Sequence, residues 1–323
     1  MKRRLTIFLI IAVFVVIIGG VRYLWRAGSG TKKSYSFDLI VKSTNMDYWK
    51  TVNEGALAAA SAYNATVKYK GPPTEENCKQ QISILKESVA ERPDAVILAA
   101  SDYNLLAEPV QDAIDAGIPV LMIDSNVKNT NTIGYVGTDN IKLGNMLAQQ
   151  LCEHIGKTSG TVGITSFVKE SWPAVRREAG FRSGMELHPE FKMLETVYGG
   201  SDIEKTEYLT SRMVLANPGL SAVAALNAQS ATGAARALNK LGRNDIQLYA
   251  IDCTPEEAMY MEKGIIKIAL LQNPYQMGYY SVETACNYLR GKKVSGRNTD
   301  IYTVNVNTLF DDKYEQLIFP FKS

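Results

Sequence analysis

Five polar residues stand directly behind short apolar runs that read as strands: Lys42, Asp124, Asn227, Asp252 and Gln272. Tyr48 and Trp49 open the first helical stretch. Together these residues supply ammonium, carboxylate and amide groups that exchange hydrogen bonds, and aromatic faces that cover apolar surface. They do not assemble a reaction centre. No nucleophile stands with a base, and no acid–base dyad or metal cluster appears among them. The four cysteines, Cys78, Cys152, Cys253 and Cys286, form no C-x-x-C pair, and only His154 and His188 could support a metal. No catalytic residue, metal or cofactor is expected.

The elements that must position these groups alternate along the chain. Residues 37–41 are strand-like, 49–63 read as an alanine-rich helix and 66–69 as a second strand. A helix is predicted over 75–91 with Thr74 as its cap and Pro93 beyond its end, followed by a fully apolar strand over 95–99. A helix over 106–116 closes at Gly117, and a strand covers 119–123. The cycle then restarts: helix 142–155, strand 161–165, helix 174–187, strand 192–197, helix 204–216, strand 222–226, helix 232–241, strand 247–251. Strands separated by helices of this length form βαβ units, so the pattern predicts an α/β protein of two doubly wound, parallel-sheet lobes. In such sheets ligands bind beyond the carboxyl ends of the strands, where the five polar residues fall.

Composition narrows the function further. The net charge is +2 over 323 residues and the basic side chains are spread out, which gives no footprint for nucleic acid. At the N-terminus Lys2, Arg3 and Arg4 precede an apolar run from Leu5 to Val21, followed by Arg22-Tyr23-Leu24-Trp25-Arg26. Such a segment directs export and is cleaved, or stays as a membrane anchor. Its length and aromatic flank favour an uncleaved anchor over residues 5–21, with the rest of the chain outside the cytoplasm. No cysteine precedes Cys78, so attachment through an N-terminal lipidated cysteine is excluded.

Longer segments carry a family pattern. S-T-N-M-D-Y-W-K-T-V-N-E-G-A (43–56), D-A-V-I-L-A-A-S-D (94–102) and A-G-I-P-V-L-M-I-D-S (116–125) come first. R-R-E-A-G-F (176–181), A-L-N-A-Q-S-A-T-G-A-A-R-A-L (225–238), A-I-D-C-T-P-E (250–256) and L-L-Q-N-P-Y-Q-M-G (270–278) follow. In this order and spacing the chain resembles the two-lobed periplasmic sugar-binding proteins of the ribose-binding type, from about Tyr35 to Ser323. The resemblance implies a type I periplasmic binding fold whose lobes are joined by three crossings. Residues 1–33 would be anchor and linker, 34–137 plus 273–301 the first lobe, and 138–272 plus 302–323 the second. It also implies a monosaccharide or similar small polyol bound in the inter-lobe cleft, with lobe closure as the functional motion.

Carried over by position, Asp124 and Asp252 match carboxylates that accept from sugar hydroxyls. Arg177 matches a donor to hydroxyl or ring oxygens, and Asn227 and Gln272 match amides of the polar shell. Tyr48 and Trp49 match the paired aromatics that stack on the sugar, Trp49 being the better candidate for stacking. The chain also departs from ribose binders. Met46 and Asp47 stand where those have asparagine and proline, Asn45 comes one position early, and Ser125 replaces an arginine. Lys42 instead resembles the lysine of arabinose-binding relatives, and Trp172 offers a second aromatic wall. Structural roles stay open for some of these: Asp124 and Asp252 as helix caps, with Thr254 the alternative cap, Tyr48 as core, and Gln272 as a turn former at a crossing.

The resemblance implies two partners for such a receptor: an ABC permease, or a membrane sensor kinase to which it reports occupancy. A non-sugar ligand on the same fold is the alternative. An enzyme would need two carboxylates about 5–10 Å apart across a glycosidic bond; in the family, Asp124 and Asp252 accept hydroxyls instead. A repressor of this fold would need an N-terminal helix-turn-helix, and the apolar segment occupies that place.

Overall fold

The computed structural model describes residues 34–321. The expected anchor, residues 5–21, lies outside them. Among the described residues no helix is long and apolar enough to cross a membrane.

The chain first forms β1 (Tyr35–Ile40), α1 (Asp47–Tyr63), β2 (Ala65–Lys70), α2 (Cys78–Glu91), β3 (Ala95–Leu98), α3 (Ala107–Asp115), β4 (Val120–Ile123) and β5 (Gly134–Gly137). It continues with α4 (Asn140–His154), β6 (Gly160–Ser166), α5 (Trp172–Met185), β7 (Phe191–Tyr198), α6 (Ile203–Ala216) and β8 (Leu220–Ala225). Then come α7 (Ala228–Lys240), β9 (Gln247–Ile251), α8 (Pro255–Glu262) and β10 (Ile266–Leu271). The last elements are α9 (Pro274–Leu289), β11 (Arg297–Asn298), β12 (Tyr302–Val304) and α10 (Asp312–Ile318).

The strands form two six-stranded sheets, ordered β11-β5-β4-β3-β1-β2 and β12-β10-β9-β8-β6-β7. Without its last strand each sheet has the same doubly wound order, so the second half of the chain repeats the first. Among the described residues every pairing is parallel except β10 with β12. The chain passes from one sheet to the other after β5, after β10 and after β11. This is the two-lobed α/β fold with three crossings.

Period-2 alternation buries each sheet on both faces. In the first lobe Phe37, Leu39 and Ile97 join one core with Trp49 and Val52, while Ile40, Val96 and Leu98 join another with Leu85 and Val110. In the second lobe Val223 and Ala225 face one way, and Ala222, Ala224 and Leu226 the other. The four cysteines are unpaired, Cys253 and Cys286 buried and the other two half-buried.

The helices that bear candidate residues are locked to those that start at the crossings. Tyr48 and Trp49 lie on α1, which packs on α9, and Arg177 lies on α5, which packs on α4. A Cβ at Gly278 would collide with the Val52 carbonyl, and one at Gly180 with the Ile141 carbonyl. Only glycine lets these backbones approach so closely.

One boundary differs from the sequence reading in a way that matters for the site. Helix α2 starts at Cys78 and not at Glu75, because Asn77 and not Thr74 caps it, accepting from the Gln80 amide at 3.2 Å. Glu75 therefore stays in the loop and its side chain points elsewhere. Helix α7 similarly begins at Ala228, earlier than the expected 232, with Asn227 as its cap.

Candidate functional site

The order of the sheets gives Asp124 and Asp252 equivalent places. Asp124 follows β4, the fourth strand of its lobe, and Asp252 follows β9, the fourth of the other. Each amide still completes the ladder to the fifth strand, Asp124 to the Val136 carbonyl at 2.9 Å and Asp252 to that of Leu270 at 2.8 Å. Each residue then turns left-handed, with φ of 60° and 71°. Asp and Asn tolerate this region better than most side chains. Neither aspartate caps a helix. Thr254 caps α8 in a capping box with Glu257.

A cavity of about 800 Å³ lies between these positions and is lined from both lobes. Lys42, Asn45, Tyr48, Trp49 and Asp124 reach it from the first lobe, and Arg177, Asn227, Asp252 and Gln272 from the second lobe and the crossing behind it. Trp172 does not line it. Its ring packs on Tyr135 of the other lobe at 5.3 Å between centroids, and the Arg176 guanidinium lies 4.8 Å from its centre. Phe167, beyond β6, is one second-lobe aromatic at the cavity and lies beside Arg177, whose guanidinium carbon is 5.6 Å from its ring centre.

Arg177 is buried and spends three of its five N–H groups within the protein. Nε donates to Asn140 Oδ1 at 2.8 Å, and Nη1 and Nη2 donate to the Leu226 carbonyl and Gln272 Oε1, both at 2.9 Å. These acceptors are all neutral, and two N–H groups remain uncommitted. Gln272 extends the network. Its Oε1 also accepts from Thr138 at 2.9 Å, its Nε2 donates to Asp252 Oδ1 at 2.9 Å, and Thr138 lies 3.3 Å from the Thr299 hydroxyl. Thr138, Gln272 and Thr299 sit at the three crossings, so Gln272 joins the crossings to Arg177.

The carboxylates are held differently. Asp124 Oδ2 pairs with Lys42 at 2.8 Å and accepts from Ser125 at 2.7 Å, while Oδ1 accepts only from Tyr48, at 3.3 Å. Burial pushes the Asp124 carboxyl up, but Lys42 and Arg177 outweigh it and hold it below its ordinary value. Asp252 uses one oxygen on Gln272. Burial dominates there and raises its pKa, against the pull of Arg177 and with the push of Asp124. Tyr48 is raised well above its ordinary value, by burial first and then by Asp124 and Asp252, so its hydroxyl stays a neutral donor.

The remaining lining residues differ in how freely they face the cavity. Trp49 is fully buried, edge-on to Tyr48, with Nε1 donating to Glu75 at 3.4 Å. Half-buried Tyr48 keeps more of its ring available. Asn227 gives its carbonyl oxygen to the Ser230 amide at 3.0 Å and its amide to Gln229 at 2.8 Å. Asn45 is exposed at the rim. Glu75, read as helical from the sequence, lines the cavity instead and accepts from Ser201 of the other lobe at 2.6 Å. Lys42 reaches Ser171 at 3.4 Å, and Tyr103 donates its amide to the Glu170 carbonyl at 3.3 Å. The lobes thus meet across the cleft.

Glu257 lies beneath this wall, fully buried, accepting from Thr254 at 2.6 Å and Thr232 at 2.9 Å. Burial pushes it from 4.5 to about 8, against both hydrogen bonds and with help from Asp252. The folded protein thus holds this proton where the unfolded chain has released it. Its stability contribution is present below the unfolded value and is lost as pH rises towards 8. Urea unfolding between pH 5 and pH 8 is expected to show stability falling with pH, at a slope approaching about 1.4 kcal/mol per unit. Glu257→Gln keeps the Thr254 bond through its carbonyl oxygen and can donate its amide to the Thr232 hydroxyl, and it is expected to flatten that slope; an equally steep variant would assign it to other groups.

Residues 37–293 match the periplasmic binding protein domain family. The ribose import binding protein of Escherichia coli is 24% identical over 261 residues, covering 80% of this chain and 86% of that one. An ABC transporter solute-binding protein from Agrobacterium vitis, solved with α-D-tagatopyranose, superposes with a TM-score of 0.85 at 28% identity, over 88% of this chain and 99% of that one. A carbohydrate transporter solute-binding protein from Agrobacterium radiobacter, solved with D-arabinose, gives 0.85 at 27% identity, over 89% and 100%.

Proposed function

The chain belongs to the periplasmic binding protein domain family, and from that premise we propose that it binds a monosaccharide or similar small polyol in the inter-lobe cleft and closes around it. The observation that carries this reading is the set of uncommitted groups at the cavity. Arg177 has two free N–H donors, Asp252 one oxygen that no side chain holds, and Asp124 one oxygen held only by Tyr48. A neutral polyol both donates and accepts through each hydroxyl, and satisfies all three at once. Lys42 and Arg177 face Asp124, Asp252 and the buried Glu75, and this excess of carboxylates fits a neutral ligand better than an anion. Tyr48 then covers the C–H face of the sugar. Relatives named for ribose, or solved with tagatose or arabinose, make this ligand class the natural first choice.

We place the protein on the outer face of the cell membrane, held by residues 5–21. In that setting it serves an ABC permease or a membrane sensor kinase as its ligand-sensing subunit. The anchor without a lipidated cysteine favours sensing. Lobe motion turns about the crossings, where Thr138, Gln272 and Thr299 meet.

A thermal-shift screen of the full-length chain against pentoses, hexoses, polyols and non-sugars tests the reading. A ligand at about 100 times its Kd is expected to add about 2.7 kcal/mol, a clear rise in melting temperature. One sugar stereoisomer acting alone is the expected outcome. Silence across all sugars with a response to a non-sugar would move this chain to another ligand class.

A further inference from the structure

The polar cluster does not account for the whole cavity wall. Pro255, Pro274, Phe310, Leu317, Phe319 and Phe321 line the same space, and none of them can hydrogen-bond a hydroxyl through its side chain. Four of these belong to the C-terminal segment, which lies beyond the residues matched to the family. That segment is firmly placed. Tyr314 and Ile318 of α10 are buried in the second lobe's core, and Leu317 and Phe319 pack against it. Phe310 stacks on Phe319, with centroids 6.3 Å apart and planes 8° from parallel. Yet Phe310 is 61% exposed and Phe321 43% exposed, so aromatic surface at the cavity is left in water. Pro274, at the start of α9, lines this apolar wall from the other side of the second crossing.

The volume points the same way. About 800 Å³ lies towards the upper end of the roughly 300–1,000 Å³ typical of pockets for drug-sized ligands, more than one sugar ring fills. Of the C-terminal lining only Glu315 carries a polar side chain, so a second sugar ring would bring most of its hydroxyls against Leu317, Phe319 and Pro320, where they lose water without gaining partners. An apolar substituent would cover the exposed phenylalanines and gain from leaving water.

We propose that the cleft carries a second, apolar subsite built by the C-terminal segment, and that the preferred ligand is a glycoside with an aromatic or alkyl aglycone. This rests on the polyol reading of Arg177, Asp124 and Asp252. The subsite adds a hydrophobic requirement that those residues do not impose.

The test is calorimetric titration of the full-length chain with methyl and phenyl glycosides, both anomers, of D-ribose, D-arabinose and D-tagatose. At least one phenyl glycoside is expected to bind about tenfold or more tighter than its methyl counterpart, as when roughly half of a phenyl ring leaves water. Phe310→Ala combined with Phe321→Ala, both exposed positions, is expected to erase that advantage and leave methyl glycoside affinity unchanged. Methyl glycosides binding as tightly as phenyl ones would overturn the subsite while the polyol reading stands. A variant that weakens both equally would also overturn it, since the segment would then act on closure as a whole. No binding by any sugar or glycoside would overturn the polyol reading, and the subsite with it.

Discussion

Replacing Asp124 with alanine is expected to lower the melting temperature by roughly 10 °C and to abolish sugar binding. The stability loss follows from Lys42. Its side chain is 3% exposed and its charge is matched by Asp124 at 2.8 Å. Without the carboxylate it keeps only the Ser171 hydroxyl at 3.4 Å and the face of Trp49 at 5.8 Å. Leaving one member of a buried pair uncompensated costs about 3–5 kcal/mol, and each kcal/mol moves the midpoint of a domain this large by about 2–4 °C. Structural and binding roles separate in the double variant Lys42→Met with Asp124→Leu. Apolar replacement of a buried pair is often neutral or stabilising, so its melting temperature should return close to that of the parent. Sugar binding should stay lost. A stable double variant that still binds would remove Asp124 from the ligand contacts.

Arg177→Met is the second large effect. It takes away the two free donors and also leaves Asn140 Oδ1 and the Leu226 carbonyl without the partners they have now. Hydrogen bonds to charged groups are worth about 1.5–3 kcal/mol each, so losing two at the ligand is expected to weaken binding by at least about a hundredfold. Arg177→Lys should recover little. A single ammonium cannot span Asn140, Leu226 and Gln272 and still reach a ligand as the planar guanidinium does. Calorimetry with the sugar found in the thermal-shift screen measures both variants. Affinity within a few fold of the parent would place the ligand elsewhere in the cavity.

Much of this architecture was legible in the sequence because it is local. Apolar runs such as Ala95–Leu98 and Val120–Ile123 can only be strands buried on both faces, and the helices between them force parallel pairing. Asp124 and Asp252 stood out because each follows such a run. The repeat of strand order then explains why they occupy equivalent, left-handed positions. What was not legible depends on contacts distant in sequence. Thr74 and Asn77 are both good caps, and the sequence does not say that Asn77 wins and frees Glu75 for Trp49 and Ser201. Trp172 has the right chemistry for a stacking wall, but Arg176 lies over its ring and Tyr135 from the other lobe packs against it at a tilt. Phe167 carried no signal beyond its place after a strand. The C-terminal phenylalanines gave none either, since only the packing of Tyr314 and Ile318 brings them to the cavity.

Arg177 and the two aspartates are expected to hold a neutral polyol between the lobes. A crystal structure with the sugar from the thermal-shift screen tests it most directly. Ring hydroxyls are expected to accept from the two free N–H groups of Arg177 and to donate to Asp124 Oδ1 and Asp252 Oδ2, with Tyr48 against the ring. A sugar bound outside this cleft, or inside it with no contact to Arg177 or to either aspartate, would contradict it.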